Sequence, residues 1–152
     1  MLKGIAVSPG VMVGKAYCIH EIFVNPETKL LEDEEINQQL ASFEAARDQT
    51  AADLRALRTK VEKQVGQQEA AIFAVQESIL QDHAFQEKIR LGVTEDRLTV
   101  QAALHRLMDE YTALFAKTED TYLKERVNDV RDVVIRISSY FFSASNFKYL
   151  FI

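Results

Sequence analysis

Three histidines carry the side chains best suited to proton or phosphoryl transfer near neutral pH. They are His20, His83 and His105, and they lie far apart in the sequence. None of them occurs in a His-Glu-x-x-His motif or in another spacing that would bring two imidazoles to one metal ion. The pattern therefore favours exposed or helix-capping histidines over a metal centre or a catalytic pair.

The other candidates for chemistry lack the neighbours that they would need. Ser8 precedes Pro9 and Gly10, without the Gly-x-Ser-x-Gly elbow of a hydrolase. The glycines are scattered, and the pair at Gly10 and Gly14 is not followed by the Lys-Ser/Thr of a phosphate-binding loop. Acidic pairs occur at predicted helix starts, where they compensate the helix dipole. The sequence thus contains no recognisable catalytic constellation.

Composition and charge indicate the class of protein. The 152 residues contain 47% hydrophobic and 27% charged side chains, as expected for one folded domain. The net charge of -5 argues against nucleic acid as a partner, because such a surface needs clustered Lys and Arg. Cys18 is the only cysteine, which excludes an intramolecular disulfide and indicates a cytoplasmic location. No apolar run is long enough to make a membrane a partner.

Two short β-strands are predicted at the amino terminus. The turn signal Ser-Pro-Gly at residues 8–10 separates the apolar residues 5–7 from residues 14–19. After Pro26 no proline follows, so the strongest helix breaker is missing from the rest of the chain. We therefore expect helices from there on.

Hydrophobic spacing predicts one long helix followed by a kinked one. Over residues 33–66, apolar side chains recur every three or four positions, as on one face of an amphipathic helix. A second helix is predicted over residues 68–81, and Asp82 is placed to cap a short continuation that ends at Gly92. The chain is therefore expected to bend at Asp82.

Two further helices complete the predicted fold. Thr94 is the predicted N-cap of a third helix, which ends near Ala116. Its buried stripe is expected to contain Val100, Leu104, Leu107, Tyr111 and Leu114. A cap around residues 118–120 leads into a fourth helix that extends to Ile137. The predicted fold is mainly α: an antiparallel four-helix bundle with a kinked second helix, preceded by one or two short β-strands.

Three ordered motifs resemble the family of phosphoenolpyruvate-protein phosphotransferases, Enzyme I of the bacterial sugar phosphotransferase system. Residues 4–10 (GIAVSPG), followed by Gly-Lys-Ala at 14–16, are similar to the family's opening strand and turn. Residues 69–73 (EAAIF) are similar to its second helix. Residues 122–133, which contain YLKER and DVRDV, resemble the end of its helical domain.

The resemblance implies three segments. Residues 1–22 would be opening strands of an incomplete phosphohistidine α/β domain, residues 23–137 a helical HPr-binding domain, and residues 138–152 an aromatic tail outside the family pattern. In the family, a histidine in a Gly-rich Thr-Ser-His motif carries the phosphoryl group, and a barrel domain binds phosphoenolpyruvate and magnesium. Neither is found in this sequence, so we assign no catalytic residue and expect no cofactor in this chain. Phosphotransfer by this polypeptide alone is not expected.

The resemblance also implies a docking surface for an HPr-like phosphocarrier protein. We call the corresponding residues the predicted docking face: Gln67, Gln68, Ala71, Ile72, Val75, Ile79, Asp82, Phe85 and Arg126. An apolar patch with a few charges at its edge suits a partner that binds, reacts and leaves. The sequence departs from the family at Gln67, Gln68, Ala74 and Gln81, where acidic or other polar groups are frequent. Either the electrostatic attraction to HPr is weaker, or the carrier differs.

Three interpretations remain open from the sequence. The chain is the docking part of a phosphotransferase, truncated or frameshifted after Ile137 rather than a genuine short form; or an independent helical adaptor; or one piece of a split phosphotransferase. A downstream reading frame that encodes the Ser-His motif would support the first. Unpaired strand edges in the first 20 residues and the aromatic tail also predict self-association.

Overall fold

A computed structural model of the protein describes residues 30–116 and 120–141, with side chains in the last helix described from residue 126 onward. Within these residues the chain forms α1 (Asp33–Gln64), α2 (Gln67–Gln81), α3 (His83–Thr94), α4 (Val100–Phe115) and α5 (Thr121–Ser138). The prediction of a mainly α fold is confirmed. The predicted β-strands and the aromatic tail beyond residue 141 lie outside the described residues. None of the helices described here is long and apolar enough to cross a membrane.

The helix α1 begins where the sequence predicts it, because its first turn satisfies its own backbone. The N–H of Glu32 donates to the carboxylate of Glu35 at 2.9 Å, as in a capping box. Thr50 interrupts the apolar stripe of α1 and is nevertheless buried, with 1% of its surface exposed. Its hydroxyl donates to the carbonyl of Ala46 at 2.7 Å, so the buried polar group has a partner.

The helix α1 runs antiparallel to α2 and α3 together. Gly66 makes the tight connection with a φ of 156°, which side chains rarely allow. Arg55 on α1 pairs with Glu77 on α2 at 2.8 Å, and Arg47 donates to Gln86 on α3 at 3.3 Å. Residues nearer the start of α1 therefore contact residues further along the chain in α2 and α3. The two shorter helices act as one bent arm against α1.

One hydrophobic core joins all the described helices. Each helix contributes a leucine or isoleucine with at most 1% of its surface exposed: Leu54, Leu80, Ile89, Leu104 and Ile137. Burying such a side chain stabilises the fold by about 1.5–3 kcal/mol relative to leaving it in water. The helices are therefore held by a shared interior.

The predicted helix end at Gly92 is wrong. Gly92 is buried inside α3, which continues to Thr94. A Cβ atom at Gly92 would lie 3.0 Å from the Cβ of Ala103 on α4, which is closer than side chains normally pack. The glycine therefore permits the close approach of α3 and α4 and does not terminate a helix.

The predicted N-cap at Thr94 is also wrong. The cap of α4 is Thr99, whose side chain accepts from the N–H of Ala102 at 3.2 Å. The hydroxyl of Thr94 instead donates to the carbonyl of Arg90 at 3.0 Å, inside α3. The two helices are thus separated by residues 95–99.

Contacts with the start of α1 fix this connection. The carbonyl of Arg97 accepts from the N–H of Leu31 at 2.7 Å, and its guanidinium pairs with Asp33. Arg97 has a φ of 55°, which is uncommon for a residue with a side chain. Gln39 on α1 accepts from the N–H of Val100 at 3.0 Å. The position at which α4 begins is therefore set by tertiary contacts.

The buried stripe of α4 ends at Phe115, which packs against the core, and not at the predicted Leu114. Val100, Leu104 and Leu107 are buried, and Tyr111 is half-buried against the core. Leu114 is 69% exposed, so its predicted place in the stripe is wrong.

We predict that Thr99→Ala destabilises the protein by about 1 kcal/mol, because an N–H at the start of α4 loses its acceptor. Thr94→Ala serves as the matched control, because it removes only a hydroxyl that bonds within its own helix. Urea unfolding followed by circular dichroism measures both variants. A larger loss for Thr94→Ala than for Thr99→Ala would contradict this assignment of the cap.

Candidate functional site

Most of the predicted docking face lies on the outer side of α2. The buried residues Ala70, Gln76 and Leu80 mark the side of α2 that faces the core. The residues of the predicted docking face on this helix occupy the opposite side: Gln67, Gln68, Ala71, Ile72, Val75 and Ile79. Ile72 is 45% exposed, and Ala71 is also exposed. Val75 is half-buried, and Ile79 packs partly against the core.

Asp82 forms the bend between α2 and α3. Its carboxylate accepts from the N–H of Phe85 at 2.9 Å, which confirms its predicted capping role. On the other side of the bend, the side-chain amide of Gln86 donates to the carbonyl of Leu80, the penultimate residue of α2, at 3.0 Å. Arg47 on α1 holds the same glutamine at 3.3 Å. The bend is therefore fixed by the side chains of Asp82, of Gln86 on α3 and of Arg47 on α1.

Phe85 does not lie at the surface. It is 2% exposed and belongs to the hydrophobic core. The cap at Asp82 fixes the start of α3, and in the first turn of that helix Phe85 faces the core. In this arrangement its side chain packs beneath the face and is not available for a partner.

Arg126 lies on α5, the helix that packs against α2. It is exposed, and its guanidinium is 3.6 Å from the carboxylate of Asp129. The structure thus brings together the residues of the predicted docking face on α2, places Asp82 at their carboxyl-terminal end, and sets Arg126 on the neighbouring helix.

A buried amide joins α2 to α5. The side-chain nitrogen of Gln76 donates to Asp132 at 3.3 Å, and Gln76 is 2% exposed. Its side-chain oxygen is buried without a hydrogen-bond partner. Burial raises the pKa of Asp132 above its ordinary value, and Asp129 adds to the shift, while Arg136 opposes it. An ionised Asp132 can only accept, so one of the two polar atoms of the Gln76 amide has a partner and the other has none. We call this half-satisfied contact between Gln76 and Asp132 the joint.

Gln76 is not among the site residues predicted from the sequence. The signal was its position in the apolar stripe of α2, three residues after Phe73 and four before Leu80. A polar side chain in such a stripe predicts a buried hydrogen bond to a neighbouring helix. The sequence did not show which helix supplies the partner.

We predict that Asp132→Asn raises the free energy of unfolding at neutral pH by about 0.5–1.5 kcal/mol, because an asparagine can both accept from Gln76 and donate to its orphaned oxygen. A carboxyl whose pKa is raised on folding loses stability as the pH rises from its unfolded pKa of about 3.9 through its folded value. The gain should therefore shrink as the pH falls through the raised folded pKa of Asp132 towards about 4, below which the carboxyl is protonated in both states.

Denaturant unfolding between acidic and neutral pH measures this difference. Glu62→Gln, an exposed residue on α1, is the control for removing one carboxylate. If Asp132→Asn were no more stable than the parent at neutral pH, the half-satisfied joint would be refuted.

A half-open groove of about 330 Å³ lies elsewhere, between α1 and the end of α5. Its walls are mostly apolar, with Asp53, Lys60, Arg136 and Tyr140 among the lining residues. The hydroxyl of Tyr140 donates to Asp53, and burial together with this hydrogen bond raises the pKa of Tyr140 to about 12. The groove shares no residue with the predicted docking face.

The two described histidines lie on different helices and away from this groove. His83 is exposed at the start of α3. His105 on α4 faces the carboxylate of Asp109 at 3.0 Å, one helical turn further on. His20 lies outside the described residues. The described imidazoles therefore occupy separate places in the fold.

Comparison with known proteins identifies the family. The sequence matches the family described as PEP-utilising enzyme, N-terminal, over residues 3–126. The chain belongs to this family. The resemblance to phosphoenolpyruvate-protein phosphotransferases is thereby confirmed.

Individual members of the family and one solved structure agree with this assignment. Phosphoenolpyruvate-protein phosphotransferases are 31% identical over 139 residues in Mycoplasma capricolum and 29% identical over 137 residues in Haemophilus influenzae. These matches cover 91% and 90% of this chain but only 24% of each relative. The NMR solution structure of Enzyme I (nEIt) matches with a TM-score of 0.74 at 27% identity, over 92% of this chain and 56% of that one.

Proposed function

We propose that this chain supplies the carrier-docking surface of a phosphoenolpyruvate-protein phosphotransferase in the cytoplasm, and that its partner is an HPr-like phosphocarrier protein. The observation that carries the proposal is the exposed apolar outer side of α2. The family membership and the names of the relatives support it. The proposal concerns docking and assigns no step of phosphoryl transfer.

The outer side of α2 has the size of a transient contact. The helix has 15 residues, which gives a length of about 22 Å at roughly 1.5 Å per residue. Ile72 is exposed there beside Ala71, on a helix whose other side is already buried in the core. A single helix face of this length suits a small interface that forms and separates readily. Phe85 is left out of this surface because it is buried.

The bend at Asp82 supports the proposal because it holds the surface in one conformation before binding. The carboxylate caps α3, while Gln86 closes the end of α2 and contacts Arg47. A partner that meets a preformed surface loses less conformational entropy on binding. The outer side of α2 is therefore available to a partner without a folding step.

We predict that Ile72→Glu weakens binding of an HPr-like carrier at least tenfold, or by about 1.4 kcal/mol. The carboxylate would have to be desolvated against an apolar surface without a cation to pair with it. Isothermal titration calorimetry with a purified carrier measures the dissociation constant, and circular dichroism checks that the helices persist.

Leu114→Glu is the matched control, because Leu114 is equally apolar, 69% exposed and outside the predicted docking face. Its affinity for the carrier should equal that of the parent chain. Equal affinities for all three proteins would contradict docking on α2. A parent chain that binds no carrier would leave the helical adaptor as the better interpretation.

The exposed apolar side chains also support self-association as a competing use of the same surface. Ile72 and Val65 are both exposed near the connection between α1 and α2. Sedimentation velocity at several concentrations, with and without the carrier, distinguishes self-association from carrier binding. If the carrier and a second copy use one surface, the carrier will shift the chain towards its monomer.

A further inference from the structure

The helix α2 contains only two ionisable residues, and neither lies on its outer side. They are Glu69 and Glu77. Glu77 turns towards α1, where it pairs with Arg55 at 2.8 Å. Glu69 folds back over the start of the helix, so that a Cβ atom at Gly66 would lie 2.7 Å from its carboxylate. Glu77 therefore faces away from the predicted docking face, and the carboxylate of Glu69 lies at the amino-terminal end of α2, beside Gly66.

The outer side of α2 consists of neutral residues along its whole length. By helical periodicity, this side contains Gln67, Gln68, Ala71, Ile72, Ala74, Val75, Ser78, Ile79 and Gln81. The aliphatic side chains lie between amides and a hydroxyl, which donate and accept hydrogen bonds without charge. The surface thus offers apolar contact and neutral hydrogen bonds.

The two charged residues of the predicted docking face, Asp82 and Arg126, each have a partner. The carboxylate of Asp82 is held by the N–H of Phe85 at 2.9 Å, as the cap of α3. The guanidinium of Arg126 on α5 is 3.6 Å from Asp129. The opposite charge of Asp129 cancels much of the field of Arg126 at a distance, whereas Asp82 keeps its negative charge at the carboxyl-terminal end of α2.

We infer that the carrier contacts an uncharged outer side of α2, with Asp82 and Arg126 only at its edge, so that its affinity for this chain depends only weakly on salt. The inference rests on the proposed function and specifies the chemistry of the partner. The complementary surface would contain aliphatic side chains surrounded by neutral hydrogen-bonding groups. A carrier with lysines or glutamates facing the centre of α2 would have to desolvate them without a counter-charge, which is costly.

Salt dependence tests this inference directly, since charge steering weakens as ions screen it. Binding of a purified HPr-like carrier to the full chain is measured from about 20 mM to about 500 mM NaCl, over which the Debye length falls from roughly 20 Å to about 4 Å. The dissociation constant should change less than about twofold. A tenfold or greater weakening would overturn the inference while leaving the proposed docking intact. Absence of binding at every salt concentration would overturn both.

Introduced charges provide the second arm of the experiment. The double variant Gln67→Glu with Gln68→Glu places two carboxylates on the surface, so its association rate with a basic carrier should become at least threefold more salt-dependent than that of the parent. The double variant Asn37→Asp with Gln38→Glu adds the same charge to exposed positions on α1 and should behave like the parent. If the two variants showed the same salt dependence, the outer side of α2 would not be the contact surface, and the inference would fail.

Discussion

The hydrogen bond from the N–H of Phe85 to the carboxylate of Asp82 is the interaction on which the arrangement of this surface depends. One residue ends α2 through its backbone and begins α3 through its side chain, which accepts from Phe85. This bend allows α2 to bury Leu80 and α3 to bury Ile89 in the same core, although a straight helix would carry the second half away from it. Because the inner sides of both halves are buried, the outer side of α2 remains for a partner.

Local patterns in the sequence were sufficient for the helices whose boundaries are set locally. The start of α1, the bend at Asp82 and the end of α4 near Ala116 follow from caps and from hydrophobic spacing. The connection between α3 and α4 could not be predicted from local patterns, because contacts with α1 fix it. Arg97 pairs with Asp33, and the N–H of Val100 donates to Gln39. The predicted helix end at Gly92 was wrong for a similar reason. This glycine allows α3 to approach Ala103 on α4, and that contact leaves no local pattern.

The candidate site was predictable only in part. Its residues on α2 followed from the family resemblance, and helical periodicity alone places them on one side of that helix. The burial of Phe85 did not follow, because it depends on how the cap rotates α3. The place of Gln76 in the apolar stripe of α2 predicts a buried hydrogen bond, but its partner Asp132 could not be predicted, because a pairing between α2 and α5 leaves no local pattern. The neutrality of the outer side of α2 follows from helical periodicity, and the ion pair of Glu77 with Arg55 agrees with it.

Family membership supports the partner proposed for this surface. The chain spans only 24% of the length of the relatives that it matches. The central claim is that α2 docks a phosphocarrier, and amide chemical shifts of the isotopically labelled chain during titration with an HPr-like carrier test it most directly. Docking on α2 should produce shift changes concentrated at residues 67–79 and around Arg126, with none at the groove lined by Asp53 and Tyr140. Unchanged shifts on α2 at millimolar carrier, or changes confined to that groove, would contradict it.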